Sequence, residues 1–328
     1  MTFVPFCQAE AVGDRFLTLL SRLDIKPPSR SSVEHELLSL TDLVEVMRDP
    51  NRATGSNQAE VLRQAAGLHD FAAKVLSAEG LLEFETFKPH LKLLGENAES
   101  FSTLIQNARA ALPNDANRKL TELYIASLAI HLANSIELDS PNAAKGNNPD
   151  ILFSYVGDPC KGRRWALAIK SVSGESGQTY FERIQEAAGQ IDAAACPADI
   201  GMVVINLKDT LDHDALWRAP FPDLQSAIKA LCQEIQERMN KVEAERPQTE
   251  WDALFEGKVV RPILFMAHTL VRITAPGGLK IPTALKAMVA FGAKGAPHPV
   301  GYEITVGLND IMQRVLAGAP GSPGRLPH

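Results

Sequence analysis

The chain of 328 residues is 45% apolar and 22% charged, the balance of a globular protein, which excludes collagen-like, coiled-coil and wholly disordered chains. Lys plus Arg number 33 against 39 Asp plus Glu, a net charge of −6; this excludes a protein that coats nucleic acid by bulk charge, though not one with a local basic groove. No apolar run reaches the length of a bilayer span, the longest candidate being 262–270 between Arg261 and Arg272, so no membrane association is expected.

The first third reads as helices. Phe16, Leu17, Leu19, Leu20 and Leu23 form a stripe of helical period over 14–23, ended by Pro27-Pro28. Ser31-Ser32 caps a second helix over 33–48 with Leu37, Leu40, Leu43 and Val44 on one face. A loop follows at 52–57, and helical spacing resumes over 60–76 and 100–111. Residues 1–112 therefore read as an all-helical N-terminal domain, suited to hold a protein partner or a second copy of the chain.

Leu112-Pro113-Asn114-Asp115 breaks the pattern, and a long helix is expected over 118–134. The composition then shifts. Strands are expected over 150–156 and 165–172, a helix over 180–194, a strand over 200–207 and a helix over 224–243. A further strand is expected within 259–273 and a helix over 283–291. This alternation indicates a mixed α/β core (α/β to α+β) over 113–310. The last residues, 311–328, read as a disordered Pro/Gly-rich tail.

The residues with chemical potential surround the first two strands. The turn 157–164 makes them a hairpin; if Val156 faces Trp165, Asp150 lies opposite Ser171 and beside Lys170. Residues 168 and 170 share a face because strand side chains alternate. Asn147-Asn148-Pro149 sets Asp150 at the mouth of its strand.

The run Asn148-Pro149-Asp150-Ile151, followed by the hairpin and by Trp165-Ala166-Leu167-Ala168-Ile169-Lys170, resembles the PD-(D/E)XK nuclease superfamily with its restriction-endonuclease-like fold. In that family a Pro-Asp opens one core strand and an acid–any residue–Lys triplet lies on the next. Glu122 on the preceding helix and Gln190 on the following one, with Gln185 as its competitor, are similar to the family's supporting residues. The likeness covers about 113–210. It implies a Mg²⁺-dependent endonuclease, with Mn²⁺ as substitute, hydrolysing nucleic-acid phosphodiesters. DNA is the expected substrate, and restriction or phage defence the setting by analogy. Asp150, position 168 and the Ile169 carbonyl would hold the metal, and Lys170 would stabilise the attacking water or the phosphorane charge.

One departure stands out, because position 168 is Ala. Three readings follow: a deliberate inactivation of an endonuclease, a natural pseudonuclease that binds nucleic acid or protein without cutting, or an acid moved to Glu182 or Glu186. Lys161, Arg163 and Arg164 give the hairpin tip a positive charge that could meet phosphates, or be a solvated tip.

The remaining chemistry is sparse. The pairs His69-Asp70 and His213-Asp214 lack further spaced partners and are expected at the surface or in helix packing. No phosphate-binding loop or nucleophile elbow occurs. Cys7, Cys160, Cys196 and Cys232 form no C-x-x-C pair, and Met1–Glu10 lacks a basic leader segment. Both fit a reducing cytoplasm.

Overall fold

A computed structural model describes residues 6–48, 58–96, 115–141 and 148–314. Three helices open the chain, α1 (Phe6–Arg22), α2 (Ser32–Arg48) and α3 (Gln58–Ala78). A short helical stretch containing α4 (Lys88–Lys92) leads to α5 (Asp115–Ala129). Then come β1 (Ala133–Leu138), β2 (Ile151–Tyr155), β3 (Trp165–Ser171), α6 (Gly177–Asp192) and β4 (Ile200–Asn206). The chain continues through α7 (His213–Arg218), α8 (Leu224–Ala244), α9 (Gln248–Ala253), β5 (Ile263–Thr274), β6 (Lys280–Phe291) and α10 (Pro299–Gln313).

The strands form one six-stranded mixed sheet in the order β1-β2-β3-β4-β5-β6. β1, β2 and β3 run antiparallel in turn, β4 and β5 continue parallel to β3, and β6 returns antiparallel. β3 and β4 are nearly continuous apolar runs, Trp-Ala-Leu-Ala-Ile and Gly-Met-Val-Val-Ile, because both of their faces are covered. One face carries α1, α3, α5 and α10, which pack Phe16, Phe71, Leu123, Ile304 and Leu308 with Leu167, Met202 and Met266. The other carries α6 and α8, which pack Tyr180, Ile184, Leu231 and Ile235 with Ala166, Ala168, Val203 and Ile205. The N-terminal helices thus share one apolar cluster with the sheet. No helix among the described residues is long and apolar enough to cross a membrane.

Most expected elements are present, with shifted ends. The helix expected over 118–134 stops at Ala129, and its last residues belong to β1, an edge strand whose pairing with β2 turns Asn134 and Ser135 outward. The helix expected over 283–291 is instead the last nine of the twelve residues of β6. Ala284, Leu285, Lys286, Ala287 and Met288 are helix formers, but a ladder of twelve residue pairs with β5 overrides their propensity. α10 was not anticipated, and it takes residues 311–313 from the expected tail; 315–328 and the helix expected over 100–111 lie outside the described residues.

Candidate functional site

The β2–β3 hairpin has a register other than the expected one. Ile151 faces Leu167, Leu152 faces Ala166 and Phe153 faces Trp165, so Val156 does not pair with Trp165. The longer turn 156–164 is held by Asp158, whose carboxylate accepts the Cys160 N–H at 2.8 Å and the indole N–H of buried Trp165 at 2.7 Å. Gly162 adopts φ +82°, the left-handed conformation that glycine takes without strain.

At the other end of the hairpin the Asp150 N–H donates to the Leu167 carbonyl at 3.1 Å, although Ile151 is the residue facing Leu167. Two residues of one strand thus oppose one of the next, the arrangement of a β-bulge, which re-aims a side chain. The Asp150 carboxylate turns to the β3 backbone and to α5. Its Oδ2 accepts the Ile169 N–H at 2.6 Å, and its Oδ1 lies 3.8 Å from Lys119 Nζ.

Lys119 and Glu122 stand one turn apart on α5, so both reach the same spot. The Lys119 ammonium donates to Glu122 Oε2 at 2.9 Å and lies 3.9 Å from Asp139 Oδ2. Asn148 Nδ2 donates to Asp139 Oδ1 at 3.5 Å, tying the segment before Asp150 to the end of β1. One ammonium therefore sits among three carboxylates. Glu122 and Asp150 thus share the Lys119 ammonium, at 2.9 Å and 3.8 Å.

Burial, and next the neighbouring Glu122 charge, push the Asp150 carboxyl well above its usual range against the pull of Lys119, the Ile169 N–H and Lys170. Burial likewise raises Glu122, opposed by Lys119. Burial would lower Lys119, but the Glu122, Asp150 and Asp139 carboxylates outweigh it and hold its ammonium above the ordinary range. His90 on α4 lies with Nε2 3.6 Å from Glu122 Oε2. Burial and then Lys119 lower His90 to about 4, so its ring is neutral near pH 7 and forms no ion pair there. The arrangement is a desolvated carboxyl pair beside a fixed cation, in which burial favours the protonated form of both acids.

The residues singled out in the sequence divide into three groups. Asp150, Glu122 and the Ile169 backbone gather around Lys119, whereas Lys170, half-buried near the end of β3, shares by strand alternation the face of Ala168. Ala168 is fully buried with its methyl among the α6 and α8 side chains, on the opposite face from Glu122. Gln190 stands in the last turn of α6. The adjoining Ile191 abuts Gly201, which faces Ala166, so Gln190 is level with the start of β3, four residues or about 13 Å from Lys170.

Glu182, Gln185 and Glu186 are exposed on α6; Glu186 pairs with Arg183 at 2.7 Å. Lys161, Arg163 and Arg164 occupy the hairpin tip, about 17 Å from Asp150 along the five residues of β2. There Arg163 faces Asp158 at 3.7 Å and Arg164 faces Glu137 at 2.8 Å.

The residues at the acid pair do not complete the ligand set that Mg²⁺ requires. Position 168 offers a methyl turned away, Asp150 Oδ2 is taken by the Ile169 N–H, and Lys119 occupies the cation's place beside Glu122. Among the described residues no group of three His, Cys, Asp or Glu side chains is arranged to hold a metal ion.

Sequence reasoning missed Lys119, whose spacing from Glu122 was visible but whose target depends on the bulge. It also missed a buried network on the same face of the sheet. Asp70 accepts from Lys286 Nζ at 2.6 Å and from the Tyr124 hydroxyl at 2.7 Å, and the Tyr124 ring meets His268 edge-on at 5.5 Å. His213 is buried, with Nδ1 facing Thr269 Oγ1 at 3.0 Å and Nε2 donating to the Lys208 carbonyl at 2.7 Å. Comparison with protein-family models, with curated proteins and with solved structures gave no match.

Proposed function

We propose that this chain is a nucleic-acid-binding protein built on a PD-(D/E)XK endonuclease core, with a phosphodiester-hydrolysing centre impaired because β3 carries no acid two residues before Lys170. The observation that carries the reading is the order around Asp150: helix α5, three antiparallel strands, helix α6, then β4 parallel to β3. Asp150 immediately precedes the second strand, Lys170 is the last residue but one of the third, and Glu122 on the first helix shares the Lys119 ammonium with Asp150. A chain that kept this frame for packing alone would have no need of a bulge that turns a buried aspartate onto a lysine and a glutamate. Each buried charge costs several kcal/mol of desolvation, in the order of magnitude known for such groups.

With one acid lacking, the reading expects binding of DNA or RNA without rapid cleavage. A filter-binding or anisotropy titration with labelled DNA and RNA tests the first half, and a plasmid-nicking assay in Mg²⁺ or Mn²⁺ tests the second. Absence of binding to either nucleic acid at low salt overturns the proposal.

A second reading, slow endonuclease action, is favoured by the two carboxylates, Glu122 and Asp150, that share the Lys119 ammonium. Here Glu122 replaces the acid absent from position 168. Wild-type nicking that disappears in Glu122→Gln and in Lys170→Ala supports it; nicking unchanged by Glu122→Gln excludes it.

A further inference from the structure

β6 is the last strand of the sheet, so its outer edge has no strand beside it among the described residues. In an antiparallel ladder the N–H and C=O of one residue point to the same side, and the side alternates along the strand. On the far side of β5, Phe221 bonds to the Arg272 C=O and the Thr274 N–H, at 2.8 Å each. The residues opposite these two on β6 are Pro282 and Lys280. Lys280, Pro282, Ala284, Lys286 and Met288 therefore turn their main-chain groups outward, away from β5.

Side chains of a helix occupy part of this edge. Asn309 and Gln313 stand one turn apart on α10. Asn309 Oδ1 accepts the Met288 N–H at 3.1 Å, and Gln313 Nε2 donates to the Lys286 C=O at 2.8 Å. Gln313 also donates to Asn309 Oδ1 at 3.3 Å, which ties the two amides together. Four residues of helix rise about 6 Å and two of strand about 6.6 Å, so the pair matches the repeat of the outward groups. Pro282 adds an outward position that has no N–H. Lys280, Pro282 and Ala284 are exposed, so beyond α10 the edge is open to solvent.

Helix α3 fastens α10 in this position. Lys74, fully buried, donates to the Ile311 C=O at 2.7 Å and to the Arg314 C=O at the end of α10. A cation there suits the negative end of the helix dipole. One turn earlier on α3, Asp70 accepts from Lys286 Nζ at 2.6 Å. The same helix thus grips both the end of α10 and the strand that α10 covers. Leu308, Ile311 and Met312 of α10 share an apolar cluster with Met288.

We infer that α10 is a strap fastened across the outer edge of β6, and that Asn309 and Gln313 keep this edge from pairing with β6 of a second copy of the chain. A long bare edge is a template for strand addition, and natural sheets blunt it with Pro or cover it with a helix. This edge is self-complementary about Ala284. Antiparallel pairing there sets Ala284 against its own counterpart, Pro282 against Lys286 and Lys280 against Met288 of the second copy. The N–H that Pro282 lacks would fall opposite the Lys286 C=O, so Pro282 alone does not prevent the pairing. The amides of Asn309 and Gln313 do, because they stand on the main-chain groups that the second strand would take.

The test is sedimentation of the full chain over a concentration series, with amide hydrogen exchange at Ala284 and Lys286. Wild type should sediment alike with and without Ala284→Pro, which removes an outward N–H and leaves the β5 ladder intact. Asn309→Ala combined with Gln313→Ala should gain a dimer, with self-association roughly ten-fold tighter or more, the worth of about one or two hydrogen bonds. Its Ala284 and Lys286 amides should exchange more slowly as the dimer fills, and adding Ala284→Pro should restore the wild-type state. Asp310→Ala, exposed on the same helix, should change nothing. A folded double variant that sediments as wild type overturns the inference. So does association that Ala284→Pro leaves unchanged, an equal gain in Asp310→Ala, or a wild-type dimer that Ala284→Pro dissociates. Should the double variant not fold, Gln313→Ala alone decides by the same readings.

Discussion

The Ile169 N–H donates to Asp150 Oδ2 at 2.6 Å, so a main-chain group of β3 fixes the carboxyl that opens β2. This contact, with the bulge at Asp150, aims the side chain at α5. Burial and the Glu122 charge raise its pKa in the folded chain. A raised carboxyl pKa means that the folded state holds a proton that the unfolded chain releases. The contribution to stability is complete below the unfolded value near 4 and is lost as pH rises through the folded one. The unfolding free energy should therefore fall from mildly acid to neutral pH. Asp150→Asn, which keeps the shape and the acceptor for Ile169 but cannot ionise, should flatten that fall and raise Tm at neutral pH. Urea unfolding of both proteins across a pH series measures it; a slope unchanged by the substitution refutes the assignment.

Lys119 supplies the charge that lets Glu122, Asp139 and Asp150 lie together. Lys119→Met keeps the packing of the stem and removes the ammonium, leaving buried carboxylates unpaired. The expected loss is roughly 3–5 kcal/mol near neutral pH, smaller in acid where the carboxyls take up protons. Lys119→Arg should recover part of it. Chemical denaturation at two pH values separates this from a simple packing defect, which would show the same loss at both.

Position 168 is the site at which an acid would be restored. Its methyl is fully buried against the α6 side, among Tyr180, Ile184, Val203 and Ile205. Ala168→Glu should lower stability by roughly 3–5 kcal/mol, the cost of an uncompensated buried charge. It should leave plasmid nicking in Mg²⁺ at the wild-type level. Nicking gained by this variant, and lost again on adding Lys170→Ala, would instead identify residue 168 as a vacated ligand position of an inactivated enzyme.

Local signals carried much of this architecture. Pro149-Asp150 and the apolar run ending in Lys170 are each written within a few residues. The helix periods of α1, α2, α3 and α8 are equally local. β6 was illegible because its identity is set by pairing with β5, a partner that helix-forming Ala and Leu residues do not announce. The bulge was illegible for a related reason. An alternating strand puts Asp150 on one face, and only the offset against Leu167 puts it on the other, toward Lys119. Asp150 therefore turns to the α5 side, while Ala168 packs on the α6 side.

The network around Asp70 ties the N-terminal helices to the far edge of the sheet. Burial raises the Asp70 pKa, but Lys286, Lys74 and neighbouring cations outweigh it and hold the carboxyl far below its usual range. Tyr124, its other donor, is fully buried on α5. Tyr124→Phe removes one hydrogen bond and leaves the Lys286 ion pair, at an expected cost of about 1–2 kcal/mol. Lys286→Met leaves a buried carboxylate with only the phenol, and roughly 3 kcal/mol or more should be lost. Asp70 ionised in the folded chain at low pH makes this contribution present above pH 4 and lost as pH falls through its depressed pKa. Acid unfolding should accordingly begin at higher pH in Lys286→Met than in wild type. Because α3 carries Asp70 and β6 carries Lys286, the same variant should loosen the N-terminal helices first, seen as faster amide exchange in α3 than in β3. Equal acceleration in both elements would show instead that helices and sheet unfold as one unit, in line with the apolar cluster they share.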